Sequence, residues 1–181
     1  MERCRMVFSG SGGQGVITAA IILAEAAVLY EDLIAVQSQV YGPEARGGAT
    51  RSDIIISDSK INYPKVIQPN VLVCLTQEAY NKFYPIIRPG GLLITDSRYV
   101  KTQRKADAMQ RELPMYETVV EKIGKPIVFN IFMLGVVISM TQLVKSESIM
   151  KILETRIPSG FLEMNRQALN FGIAMGDKFS S

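Results

Sequence analysis

No histidine occurs anywhere in the chain, and only two cysteines, Cys4 and Cys74, are present. The first absence excludes Ser-His-Asp and Cys-His catalysis, histidine metal sites and the commonest general base. The two cysteines lie far apart and neither belongs to a C-x-x-C pair, so they read as reduced thiols, buried or inert, in a cytoplasmic protein. An iron–sulfur cluster usually takes four thiolates, which leaves any redox chemistry to centres outside this chain. Charge is sparse too. The net charge is +3, with no long Lys/Arg run and no basic stripe interleaved with aromatics, so nothing recommends nucleic acid as a partner. No long apolar run separates the N-terminal Met1-Glu2-Arg3-Cys4-Arg5 from the glycines that begin at Gly10, which argues against a secretory signal. One later stretch, Ile127 to Val144, is free of charge. Its Asn130, Ser139, Thr141 and Gln142 favour a buried core or subunit-interface helix over a membrane span.

What is present points to one folded domain over residues 1–181, with a helical C-terminal part from about 127. The hydrophobic fraction of 48% against 20% charged residues suits a globular chain of that length. Its organising stretch is Phe8-Ser9-Gly10-Ser11-Gly12-Gly13-Gln14-Gly15-Val16, an apolar strand running through a glycine-rich turn into an apolar helix. Gly10, Gly12 and Gly15 have the G-x-G-x-x-G spacing: a tight turn, a bare backbone for phosphate, and close packing of helix on strand. The unpaired N–H groups and positive dipole end of the following helix suit an anion. The same turn also forms for packing alone, and the motif does not separate the two. An NAD site wants an acid at the end of the second strand, where Val36-Gln37-Ser38-Gln39 stands. A P-loop wants Lys-Ser/Thr after the last glycine, where Val16-Ile17 stands. Both common nucleotide readings are weakened.

Along the chain, strands are expected at Met6–Phe8, Leu33–Gln39, Thr50–Ser57, Val71–Leu75 and Leu92–Asp96. Helices are expected over Gln14–Tyr30, Gln77–Tyr84, Ile127–Val144, Ser148–Arg156 and Leu162–Met175. The third strand reads as a hairpin with Ile61-Asn62-Tyr63 through Asp58-Ser59-Lys60. Lys101–Arg111 reads as an exposed loop or surface helix, and Met115–Glu121 as a last strand. The alternation defines an α/β class: a three-layer α/β/α domain with a mostly parallel, Rossmann-like mixed sheet and C-terminal helices. Ligands of such sheets gather at the carboxyl ends of the strands, where the glycine turn and the loop after strand two both lie.

That second loop, Tyr41-Gly42-Pro43-Glu44-Ala45-Arg46-Gly47-Gly48, joins an aromatic, a rigid Gly-Pro, an acid–base pair and a double glycine. Arg46 suits a two-pronged contact with phosphate or carboxylate. A Glu44–Arg46 pair in a solvated turn accounts for the same residues. Together, the glycine turn and this loop resemble the gamma subunits of 2-oxoacid:ferredoxin oxidoreductases, the 2-oxoglutarate branch in particular. The likeness continues through Pro64, Asn70–Leu75, Pro89-Gly90-Gly91, Asp96-Ser97, Asn130 and Leu134-Gly135. It implies a non-redox subunit of a complex that oxidatively decarboxylates a 2-oxoacid, forms acyl-coenzyme A and passes two electrons to ferredoxin. Thiamine diphosphate, magnesium and iron–sulfur clusters would then sit on alpha, beta and ferredoxin-like delta partners. By the same resemblance Gly10, Ser11, Gly12, Gly13, Gln14 and Gly15 are expected at the coenzyme A phosphates. Tyr41, Gly42, Glu44, Arg46, Gly47 and Gly48 are expected in an active-site or intersubunit loop. Asn130 belongs either with that site or to bonding within a buried helix. No catalytic residue is assigned.

Overall fold

The computed structural model describes residues 3–39, 48–103 and 106–180. Six strands, β1 (Cys4–Gly10), β2 (Ile34–Gln39), β3 (Thr50–Ser57), β4 (Val71–Cys74), β5 (Gly91–Asp96) and β6 (Ala108–Leu113), form one sheet in the order β2-β3-β1-β4-β5-β6. β1, β4, β5 and β6 run parallel, and β3 lies antiparallel between β1 and β2. β2 therefore points the same way as β1, and only β3 is reversed. Six α-helices, α1 (Val16–Tyr30), α2 (Gln77–Phe83), α3 (Met115–Lys122), α4 (Phe129–Thr141), α5 (Ser146–Arg156) and α6 (Ser159–Phe179), cover the two faces.

Side chains alternate across the sheet and feed two cores. Met6, Phe8, Ile54, Ile56, Val73 and Ile94 point into the larger one, shared with α1, α3, α4, α5 and α6. Val7, Ile55, Leu72, Cys74 and Leu93 point into the smaller one, under α2. Helix α4 is buried almost all round, from Phe129 through Ser139, which explains its charge-free sequence without any lipid. No helix among the described residues is long and apolar enough to cross a membrane.

Four local expectations need correction. β3 makes no hairpin with Ile61–Tyr63; both its edges are taken, by β1 and β2. Pro64 follows that segment at once and lacks the N–H a ladder needs. The chain is held instead at Val66, whose N–H donates to Asp53 Oδ2 (3.3 Å) and whose carbonyl accepts from Arg51 Nη2 (2.7 Å). Met115–Glu121 is helix α3, not a strand. Met115 and Val119 are buried one turn apart, and the Asp96 carboxylate takes the Tyr116 N–H at its start. The polar stretch 101–111 runs into the edge strand β6, parallel to β5. Only part of such a strand is buried, so its apolar signal is thin. The closing helix also starts earlier than expected, at Ser159, directly after Pro158.

Candidate functional site

β1 delivers the chain to the carboxyl edge of the sheet at Gly10. The turn Ser11–Gln14 closes with the Gln14 N–H on the Ser11 carbonyl (3.3 Å), and Gly13 takes a left-handed φ of 86°, a conformation that favours glycine. The Gln14 side chain folds back: Oε1 accepts from the Ser11 N–H (2.8 Å) and Nε2 donates to the Leu75 carbonyl (3.3 Å). A side chain at Gly10 would collide with Gln14 Oε1. Gln14 and the Ser11 amide are thus spent on shaping the turn. Gly12 and Gly13 are exposed, and a Cβ at either would meet nothing within 4 Å.

Gly15, with φ 73°, is the N-cap of α1, and no side chain caps that helix. Its carbonyl accepts from Asn130 Nδ2 (3.4 Å), across 115 residues of sequence. A Cβ at Gly15 would stand 2.6 to 2.9 Å from the Asn130 side chain. Asn130, near the start of α4, therefore belongs with the glycine turn; α4 itself runs on from the 3-10 turn Pro126–Val128, whose Pro126 carbonyl takes the Phe129 N–H. Uncapped helix starts carry orphan N–H groups and partial positive charge.

Opposite the turn stands an aromatic wall that the sequence reading missed. Tyr99 and Tyr116 meet edge to face at 5.2 Å, and Tyr116 meets Phe129 the same way at 5.6 Å. The Arg98 guanidinium lies 5.3 Å from the Tyr116 ring centre, a favourable cation–π placement. Beneath them the fully buried Asp96 ends β5 and accepts from the N–H groups of Arg98 (3.0 Å) and Tyr116 (2.8 Å). Burial pushes its carboxyl above the usual range, opposed by those backbone bonds. Burial and a hydrogen bond with Tyr116 also raise the Tyr99 hydroxyl. The one signal in the sequence was Asp96-Ser97-Arg98-Tyr99 at the end of a parallel strand.

Between these walls lies a cleft of about 500 Å³, lined also by Thr76, Pro126, Ile127 and Asn130. Among the described residues its lining contains no carboxylate. Of the second loop, Tyr41, Gly42, Glu44, Arg46 and Gly47 lie outside the described residues. Both flanks of the loop reach the same sheet edge as the glycine turn: Gln39 pairs with Ser52, and Thr50, two residues after Gly48, pairs with Gly10. Among the described residues no group of three or more His, Cys, Asp or Glu could hold a metal. Cys74 is fully buried and its thiol is pushed up to about 12, which keeps it protonated and unreactive.

A six-stranded, mostly parallel sheet with a glycine turn and a cleft on its carboxyl edge defines an α/β protein of the Rossmann-like kind. Residues 5–175 match the pyruvate ferredoxin/flavodoxin oxidoreductase family, and the chain belongs to that family. Its relatives include 2-oxoglutarate synthase subunit KorC of Methanocaldococcus jannaschii, 45% identical over 166 residues, spanning 91% of this chain and 89% of that protein. The Methanothermobacter marburgensis KorC is 39% identical over 170 residues, 91% of each chain. The gamma subunit of keto/oxoacid ferredoxin oxidoreductase from Geobacter sulfurreducens superposes with a TM-score of 0.87 at 39% identity, covering 96% of this chain and 98% of that one. The resemblance seen in the two loops thus extends over almost the whole chain. A 2-oxoglutarate:ferredoxin oxidoreductase from Magnetococcus marinus, solved with 2-oxoglutarate, coenzyme A and succinyl-CoA, shares the fold. Its TM-score is 0.88 at 18% identity, over 99% of this chain and 32% of that one.

Proposed function

We propose that this chain is the gamma-type subunit of a 2-oxoacid:ferredoxin oxidoreductase acting on 2-oxoglutarate, and that it holds coenzyme A at the glycine turn and closes the thiamine site with loop 40–48. The substrate follows from the KorC relatives, matched over 91% of the chain. The coenzyme A assignment is carried by the cleft: Ser11, Gly13 and Gly15, the last at the uncapped start of α1, line a space of about 500 Å³ with no carboxylate in the described lining, and Gly12 stands exposed between Ser11 and Gly13. Backbone N–H groups there suit a pyrophosphate without any cation. Gly10, Gln14 and Asn130 fix the shape of the turn. Gly12, Gly13, Gly15 and the first turn of α1 present donors. Ser11 offers its hydroxyl.

Two cysteines are too few for an iron–sulfur cluster, and among the described residues no group of three His, Cys, Asp or Glu could hold the magnesium of a diphosphate. Thiamine diphosphate, its magnesium and the clusters are accordingly assigned to alpha, beta and delta partners, which supply decarboxylation and electron transfer to ferredoxin. Arg46, Glu44 and Tyr41 would face that centre from the second loop, with Gly42, Gly47 and Gly48 letting it fold close. On this reading the isolated chain has no turnover.

A purely structural role for the glycine turn is the second reading, and the Gln14 side chain favours it by spending its amide within the turn. Gly12 separates the two. It is exposed, with open space around a Cβ, so Gly12→Asp should fold normally while placing a negative charge where phosphate would bind. In the reconstituted complex, assayed by coenzyme A-dependent viologen reduction with 2-oxoglutarate, Gly12→Asp should raise KM for coenzyme A at least ~10-fold, about 1.4 kcal/mol. Gly12→Ala should stay near wild type. Equal coenzyme A kinetics in all three proteins would leave the turn a packing device.

A further inference from the structure

The cleft already described lies at the carboxyl edge of the sheet. At the opposite, amino edge a second concavity of about 630 Å³ opens where the adjacent parallel strands β1, β4 and β5 begin. Arg5 reaches it from the start of β1, Lys65 from the connection that leads to β4, and Arg88 from the turn that leads to β5; Tyr63, Ile67 and Gln68 stand among them. Three cations thus converge from three separate stretches of a chain whose net charge is only +3, and the described lining holds no carboxylate. A concave wall of one sign focuses its field and draws counter-ions.

The main chain fixes where these residues stand. Asn70 accepts the Arg5 N–H on Oδ1 (2.9 Å), donates its own N–H to the Arg5 carbonyl (2.7 Å) and accepts the Leu92 N–H (2.8 Å). The Arg88 N–H donates to the neighbouring Pro69 carbonyl (3.1 Å). Arg5 and Arg88 are accordingly half-buried residues on one hydrogen-bonded frame, unlike charges on a solvated helix face. Two residues before Arg5, Arg3 Nη2 donates to the Lys60 carbonyl (2.8 Å), while Arg3 Nε is buried without a hydrogen-bond partner. A buried guanidinium N–H wants an acceptor, and this edge of the chain supplies none to it.

We infer that the amino-edge cleft is a second anion site, which takes the phosphates of a small molecule carrying at least two of them. The Arg5 fork matches phosphate oxygens, Lys65 acts as a point charge, and Arg88 adds to the field. Tyr63 and Ile67, 55% and 67% exposed, give the rest of such a ligand an apolar wall. The inference is independent of the coenzyme A reading, because the two clefts share no lining residue and lie at opposite ends of the strands. Occupancy is therefore read by binding and not by turnover.

Titration calorimetry of the full chain with inorganic tripolyphosphate tests it, in about 0.15 M salt so that diffuse surface attraction is screened. Gly12→Asp serves as the background, since it removes the glycine turn as a competing phosphate site. Saturable binding is expected there. Arg5→Gln/Lys65→Gln should weaken it at least ~10-fold, the loss of one charge-assisted bond or more, and Lys65→Glu alone, at an exposed position that should not disturb folding, should weaken it as well. Lys151→Gln/Lys178→Gln removes the same charge from exposed positions on α5 and α6 and should bind as the background does. ATP binding more tightly than tripolyphosphate would identify a nucleotide as the ligand class, and equal affinity the phosphates alone. Equal weakening in both double variants would reduce the effect to net charge, and absence of binding in the Gly12→Asp background would leave the cleft a solvated surface; either result overturns the inference.

Discussion

Gly15 takes a left-handed φ of 73° and has the Asn130 side chain where its own Cβ would be. The two residues are one feature written in two places. A left-handed non-glycine residue costs about 1–2 kcal/mol, and the collision adds to it. Gly15→Ala should therefore destabilise by ~2–3 kcal/mol, whereas in an Asn130→Ala background only the backbone cost of ~1–2 kcal/mol should remain. Urea midpoints of the four proteins measure that cycle; strict additivity would show that the two sites do not touch. Asp96 makes a prediction of opposite kind. Its folded-state pKa lies above the ordinary value, raised by burial, so the folded state holds the proton more tightly than the unfolded chain. Its contribution to stability is therefore greatest below the ordinary Asp pKa of about 4 and falls as pH rises through the folded value. The stability of wild type relative to Asp96→Asn should decline over that acid range. A difference that grows with pH would mean the backbone bonds outweigh the burial.

The helices α4 and α6 cross with backbone touching backbone. Cβ atoms at Gly135 and Gly172 would run into the Leu169 and Phe132 carbonyls, and one at Gly176 would lie 2.7 Å from Ser139. Gly172 and Gly176 are one turn apart on a single stripe of α6. In an exposed helix Gly→Ala gains about 1 kcal/mol. Here a carbonyl fixed by its own helix cannot move aside, so Gly172→Ala should lose ~2–4 kcal/mol through overpacking. Thermal or urea unfolding decides it, and the sign alone is diagnostic. The same scale explains the misread elements. In α3 the buried pair Met115 and Val119 had helical spacing, but Val119-Val120 beside Tyr116 also read as strand. β6 owes its place to parallel bonding with β5, which no pattern in residues 108–113 announces.

At the scale of the whole molecule, the carboxyl edge of the sheet gathers the glycine turn, Thr76, the tyrosine wall and Asn130 around one cleft. Because a ligand that binds only the folded state stabilises it by mass action, coenzyme A at 100 times its Kd should raise the stability of the assembled enzyme by about 2.7 kcal/mol. At the same concentration that gain should fall to about 1.4 kcal/mol or less in Gly12→Asp, in step with the ~10-fold weaker binding. Differential scanning of the complex, with and without coenzyme A, reads it directly; an undiminished gain in the variant would place the coenzyme on partner subunits alone.

The sequence by itself determined the class. A strand, a glycine turn and an apolar helix follow from contiguous residues, and the period of apolar positions marks the buried elements, because each is a local property of the chain. With no histidine and two cysteines, it also excluded histidine catalysis and a four-thiolate cluster within these 181 residues. Only the tertiary structure decided that Gln14 turns inward to Leu75, 61 residues away, and that Asn130 reaches Gly15 across 115. It likewise placed Tyr99 and Tyr116 over Asp96 and set β3 between β1 and β2. Each of these depends on which groups remain unpaired or uncovered once the elements have packed, and sequence spacing carries no record of that.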